Sequence, residues 1–261
     1  MESRLEVALL RCSPRPEELV SLSAKLCYSH ADLNDLRGSV ETKDQKKFVD
    51  KLLGMGHLSP VEHVCFTFGV QGISRACTHQ LVRHRVASYS QQSQRYVGEH
   101  SKKHEGGEEE DADSTFDFII PPSVKSAGKE EWFKEKMQLM QNWYDELCEA
   151  LGDSGESSNQ DARFLLPNAA ETKIIITMNA RELMHFYSVR CCNRAQWEIR
   201  AMAMEMLKYS IQECPTIFSN AGPTCTQKDH SGKYKACGEG SYGCGKAKEM
   251  REMFEEVRKD A

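Results

Sequence analysis

No apolar run in this 261-residue sequence approaches the length needed to span a bilayer, so a transmembrane anchor is not expected. The opening stretch MESRLEVALLRCSPRPEELV breaks its short apolar segment with charges and makes a poor signal peptide. No Gly-x-Gly-x-x-Gly follows a strand pattern, and no phosphate loop of the Gly-Lys-Ser/Thr type occurs. A bound nucleotide would therefore have to be held largely by side chains. Positive charge is not in excess either: the net charge is −5, which argues against a molecule built to coat nucleic acid. The eleven cysteines are scattered rather than closely paired, so reduced thiols in the cytoplasm are the expectation.

The apolar pattern predicts an α+β fold, with mixed helices around a largely antiparallel sheet in a single domain. Helices are expected over 14–29, 43–54, 128–151, 180–191 and 194–213, and from Ala247 onward. Ser74 should cap a helix running through Arg83-His84-Arg85. Asn179 and Glu182 should form a capping box. On the helix over 128–151, the apolar positions are Trp132, Leu139, Trp143 and Leu147. Alternation at Val64, Phe66, Phe68 and Val70 predicts a strand. Two more strands are expected, at 116–120 and around Ile174-Ile175-Ile176. Residues 88–98 and 152–160 read as loops, and the charged, low-complexity stretch 99–114 reads as a flexible acidic insert. The domain should end near residue 220, leaving 221–261 as an irregular Cys- and Gly-rich extension with a charged terminal helix.

A second absence is local. Between Glu62 and Glu99 there is no Asp or Glu at all, while Arg75, Arg83, Arg85 and Arg95 fall inside that window. The window carries +4 and leaves −9 for the rest of the chain. Surface helices normally intersperse both signs, so arginines without local partners ask for an anionic ligand. Ser88, Ser90, Ser93, Gln91, Gln92 and Gln94 add hydroxyl and amide donors. Three readings stay open at this point. Distant carboxylates pair the arginines, a nucleic acid lies across them with Tyr89 and Tyr96 stacking on bases, or a small phosphate-bearing ligand sits in a pocket.

The pattern Arg83-His84-Arg85, seven residues, then Ser93, followed by Arg95 and Tyr96, resembles the signature of the flavin-dependent thymidylate synthase family. GHLSPVEHVCFTF over 56–68 resembles the family's upstream segment, with His57 and Ser59. Arg163, Asn179-Ala180-Arg181, His185, Arg190 and Ala195-Gln196-Trp197-Glu198 follow in family order, so the resemblance spans about 15–220.

That resemblance implies FAD as hydride carrier, and dUMP, 5,10-methylenetetrahydrofolate and NADPH as partners. It also implies a homotetramer with shared active sites, acting on neither nucleic acid nor membrane. Flavin contacts are expected at Ser59, Arg83, His84, Arg85, Gln91, Asn179, Ala180, Arg181 and His185. Contacts to dUMP are expected at Gln80, Leu81, Val82, Arg83, Gln91, Gln92, Ser93, Gln94, Arg95, Arg163 and Arg190. Arg190 would be the catalytic residue, stabilising a deprotonated pyrimidine nitrogen, because arginine stays cationic at any working pH. The chain departs from the pattern at Gln91, where many members carry Glu, and at Ser59, where Thr is common.

Other chemistry has weaker support. Ser93 has only His84 as a base nearby in sequence, so hydrogen bonding to the nucleotide is its expected role. Cys191 and Cys192 next to Arg190 suggest a thiolate. The tail holds Cys214, Cys225, His230, Cys237 and Cys244 without any Cys-x-x-Cys spacing, so no metal is expected there. Two readings from other classes are a nucleotide- or RNA-binding protein using the cationic window, and a structural metal-binding protein centred on the tail.

Overall fold

The alternation at Val64, Phe66, Phe68 and Val70 is met by a strand whose even-numbered side chains are all buried. A computed structural model describes residues 1–101 and 115–260 of the chain. Its strands are β1 (Glu6–Cys12), β2 (Cys65–Ser74), β3 (Ala87–Gln91) and β4 (Glu171–Asn179), joined in one sheet in the order β1-β2-β4-β3. The start of β2 bonds beyond the end of β1, through Ser13 N–H to the Cys65 carbonyl at 3.0 Å. It also bonds beyond the end of β4, through Ala180 N–H to the Val64 carbonyl at 2.7 Å. That register makes β2 antiparallel to both neighbours.

Among the described residues the helices are α1 (Pro16–Leu26), α2 (Leu33–Glu41), α3 (Lys46–Gly54), α4 (Arg75–Leu81), α5 (Pro122–Ser126) and α6 (Glu130–Ala150). They continue with α7 (Glu156–Ala162), α8 (Ala180–Arg190), α9 (Trp197–Glu213), α10 (Pro215–Phe218) and α11 (Ala247–Asp260). The expected α+β class is therefore the observed one. None of these helices is long and apolar enough to cross a membrane.

Several local expectations are corrected. Helix α4 ends at Leu81, so Arg83-His84-Arg85 lies beyond it rather than within it. Of 88–98, expected as loop, residues 88–91 belong to β3, and of 152–160, expected as linker, residues 156–160 belong to α7. Instead of a strand, 116–120 supplies single bridges from Phe118 to Glu2 and to Ala170. On α6, Trp132, Leu139 and Trp143 are exposed, and the buried positions are Met137, Gln141, Tyr144 and Cys148. Gln141 disguises that stripe. Its oxygen accepts the Phe116 N–H at 2.6 Å, and its amide donates to the Glu99 carbonyl at 2.8 Å, which satisfies a polar group in a fully buried place. Glu99 and Ser101 are held too, by Tyr144 Oη at 3.2 Å and Asp145 Oδ1 at 3.3 Å. The expected flexible insert thus does not begin at 99, and the remainder of it, 102–114, lies outside the described residues.

The chain gathers into two compact units. The first comprises Met1–Glu6, Val70–Arg83 and Tyr89–Ile175, and the second Val7–Gly69, His84–Ser88 and the residues from Ile176 onward. The first unit is centred on Phe116, Phe118, Ile120, Met137 and Ala170. The second holds an aromatic cluster in which Phe218 meets Phe66 edge-on at 5.5 Å and Tyr187 at 5.9 Å. Each such contact contributes about 1 kcal/mol beyond burial.

In the first unit, Gly72 has a left-handed backbone with φ of 71°, and a Cβ there would lie 1.7 Å from the Arg4 carbonyl oxygen. Gly72→Ala combines backbone strain with overpacking, so a loss of about 3 kcal/mol or more is expected. Urea denaturation of the parent and the variant measures it.

Candidate active site

In the first unit, the Ser74 hydroxyl caps α4 by accepting the Cys77 N–H at 3.1 Å. The helix carries Gln80, half-buried, and Leu81, fully buried, before the exposed Val82 and Arg83. Tyr89 Oη donates to the Leu81 carbonyl at 2.9 Å, tying β3 back to the end of the helix. Gln91, Gln92, Ser93, Gln94 and Arg95 follow as a run of half-buried polar side chains. Gln92 is held through its backbone, whose N–H donates to the Lys173 carbonyl at 2.9 Å and whose carbonyl accepts Arg75 Nη2 at 3.0 Å. The Ser93 hydroxyl accepts the Arg95 N–H at 3.2 Å, and Arg95 forms an ion pair with Glu156. Arg163 Nε donates to the Gln160 carbonyl at 3.1 Å.

Gln91 donates its amide to the hydroxyls of Thr78 and Thr172, both at 3.2 Å. Thr78 has already given its single proton to the Arg75 carbonyl at 2.9 Å, so it can only accept from position 91. Gln satisfies that demand and Glu would not, which gives the departure from the family pattern a structural cause.

Gln94 Nε2 and Arg95 Nε are buried without a hydrogen-bond partner among the described residues. Two such donors in adjacent residues each call for an acceptor, since each costs roughly 1–3 kcal/mol if left alone. Arg75, another arginine of the same window, is half-buried. Burial lowers its affinity for a proton, with Arg163 acting in the same direction and Glu99 and Glu171 against it.

In the second unit, Ser59 and His57 are exposed at a 3-10 turn over Ser59–His63. Asn179 caps α8 by accepting the Glu182 N–H at 2.8 Å. The reciprocal half of the expected capping box is not among the hydrogen bonds, because the Glu182 carboxylate lies 3.4 Å from His84 Nδ1. Ala180 is fully buried and Arg181 pairs with Glu62. His185 is exposed, its ring 5.9 Å from that of His84. Arg190 Nε donates to His84 Nε2 at 3.0 Å. His84 is only 7% exposed, and burial, then the charge of Arg190, hold its pKa down at about 4, so the ring is neutral at working pH.

Arg190 lines a cavity of 460 Å³ together with Cys192 and Arg194, and the tail supplies Thr224, Cys225 and Glu239. Arg194 is bonded to Glu239 at 2.7 Å. Burial pushes the Cys191 thiol far up, which removes the thiolate reading for that residue. The tail cysteines separate into two places. The thiols of Cys214 and Cys12 share a hydrogen bond, while Cys225 lies within electrostatic reach of Cys237, Cys192 and Cys244. The ring of His230 lies beside Gly54. None of the eleven cysteines forms a disulfide, and among the described residues no three His, Cys, Asp or Glu side chains are set to hold a metal ion.

Of the expected residues, then, Gln80 to Arg83, Gln91 to Arg95 and Arg163 belong to the first unit. Ser59, His84, Arg85, Asn179, Ala180, Arg181, His185 and Arg190 belong to the second. Sequence reasoning missed Glu182 as a partner of His84. Its spacing from Arg190, two turns along one helix face, was the available signal. It also missed Glu62, the last carboxylate before the acid-free window.

Glu99 offers a stability test. Burial first, then Glu171, raises its pKa to about 7, with Asp117 adding to the rise and Arg75 and Lys173 opposing it. The folded state therefore holds a proton that the unfolded chain releases nearer pH 4.5, and stability falls as pH rises between those values. Glu99→Gln should flatten that fall, as measured by denaturant midpoints at pH 5 and pH 8.

Comparisons with known proteins bear on the family and the fold. Residues 8–216 match the family described as thymidylate synthase complementing protein. A flavin-dependent thymidylate synthase of Geobacter sulfurreducens is 47% identical over 254 residues, covering 97% of this chain and 99% of the relative. One from Thermococcus onnurineus is 37% identical over 266 residues, covering 98% and 99%. Among solved structures, a flavin-dependent thymidylate synthase from Helicobacter pylori, complexed with FAD and dUMP, aligns with a TM-score of 0.63. It is 22% identical and the alignment covers 83% of this chain and 99% of that one, which establishes the shared fold.

Proposed function

This chain belongs to the thymidylate synthase complementing protein family, and we propose that it is a flavin-dependent thymidylate synthase converting dUMP to dTMP. The observation that carries this reading is kinship over nearly the whole chain with enzymes of that name. Its carbon donor is 5,10-methylenetetrahydrofolate and its reductant NADPH. The catalytic domain is taken as 1–220, with 221–261 as an extension.

The donor set fits FAD. Arg83 and Arg85 are exposed, and among the described residues neither has a carboxylate within ion-pair distance. Such cations suit a diphosphate. Arg83, Arg85, Arg181 and His185 would hold the cofactor, with Ser59, His84, Gln91, Asn179 and Ala180 beside them. Bound and reduced, the flavin supplies a hydride. The chain's own residues bind and orient. Ser93, Gln94 and Arg95, with Gln80, Leu81, Val82, Gln92 and Arg163, would hold dUMP, and the unmet donors of Gln94 and Arg95 support that role. Arg190 offers a permanent positive charge to the pyrimidine, lowering the cost of removing a proton from its ring nitrogen.

A homotetramer with shared active sites completes the reading. It is supported by Trp132, Leu139 and Trp143, which share one face of α6 and stand exposed, and by Phe164, which is 82% exposed. The free cysteines suit the cytoplasm.

The purified protein should be yellow, and its flavin spectrum should shift when dUMP is added. It should also rescue a thymidine-requiring bacterium, while Arg190→Ala does not. A colourless protein that takes up no flavin and retains oligonucleotides would overturn the proposal. Arg95→Ala should weaken dUMP binding about tenfold or more, read by calorimetric titration.

A further inference from the structure

Glu182, Phe186 and Arg190 are spaced by four residues along α8 and therefore share one face of it. His84 lies across that face and meets all three. Its ring stands edge-on to Phe186, at 4.9 Å and 80°. Nε2 accepts from Arg190 Nε at 3.0 Å, and Nδ1 faces Glu182 Oε1 at 3.4 Å.

These contacts specify one protonation state. A guanidinium Nε–H needs a lone pair, so Nε2 carries no proton. A neutral ring then bears its hydrogen on Nδ1, and that nitrogen is the one opposite a carboxylate. The doubly protonated ring is excluded by the arrangement itself, because it would turn a proton on Nε2 towards Arg190. His185, also beside it, would repel a charged ring as well.

We infer that His84 is a positioning residue: its neutral Nδ1–H tautomer, set by Glu182, accepts the Arg190 Nε–H and fixes the direction of the guanidinium that the pyrimidine meets. Arginine has a long, freely rotating stem, and a hydrogen bond to Nε defines the plane of the fork while leaving Nη1 and Nη2 for other partners. Both ring nitrogens of His84 are occupied by groups of the chain, so its part in the site is exerted through Arg190. The same logic operates at metal sites, where a second residue sets the tautomer and direction of a ligating histidine. The inference rests on Arg190 as the residue that activates the pyrimidine.

The whole protein tests it through two variants. His84→Ala removes the acceptor. It should keep full flavin content, measured by absorbance, and change the KM for dUMP little, while kcat falls about 100-fold, the scale expected for a misplaced group. His84→Gln keeps an acceptor oxygen and should recover most of that loss. Unchanged kcat in His84→Ala overturns the inference. So does a loss of flavin matching the loss of kcat with no recovery in His84→Gln, since the ring would then be a cofactor contact. Two readouts do not depend on turnover, and the first does not depend on a variant's stability. Nitrogen-15 shifts in the parent at pH 7 should report the Nδ1–H tautomer for His84, and an Nε2–H or doubly protonated ring overturns the inference. A crystal structure of His84→Ala should show Arg190 in a new rotamer or disordered. Arg190 unmoved there removes the positioning role even if the parent makes thymidylate. A parent that makes none refutes the enzyme reading, while the tautomer and rotamer still decide this one.

Discussion

The bond from Arg190 Nε to His84 Nε2 sets conditions on much of its surroundings. An imidazole that accepts from a cation must be neutral, so it must be shielded from water and kept from a second proton. Burial against Phe186 does the first. The second follows from where the remaining ring hydrogen points, towards a carboxylate drawn from the first turn of the same helix. That carboxylate is available only because Asn179 alone caps α8. Helix start, helix face and ring protonation therefore form one arrangement, built around a single guanidinium.

The other arginines sort themselves by whether the chain answers their charge. Arg95 meets Glu156 and Arg181 meets Glu62, while Arg194 meets Glu239. Exposed pairs of this kind contribute at most about 1 kcal/mol, so they can open to a ligand at little cost. Arg83 and Arg85 have no such partner among the described residues. Of the window's own arginines, Arg95 thus has a carboxylate partner, while among the described residues the two that flank His84 have none.

The α+β class, β2 and the caps at Ser74 and Asn179 are legible in the sequence because each is written locally, in alternation or in a residue type that meets a backbone N–H. What is not legible depends on partners far away in the chain. Gln141 hides the buried stripe of α6, because its burial is made acceptable by Phe116 and Glu99. Two tryptophans on that helix read as core and stand in solvent. Strand β3 consists of Ala, Ser, Tyr and Gln and has no apolar signature, since its order comes from β4 and from Tyr89. At the site, the pattern of cations announces an anionic ligand. The role of Glu182 is invisible, because a capping carboxylate and a carboxylate that orients a histidine look the same in one dimension.

The proton of Thr78 has a consequence of a different kind. Because it is given to the Arg75 carbonyl, the hydrogen bonds running from Gln91 through Thr78 point in one direction only. Direction in such a chain passes from residue to residue, so the two positions constrain each other: a carboxylate at 91 would set acceptor against acceptor unless the Thr78 hydroxyl turned away from the Arg75 carbonyl.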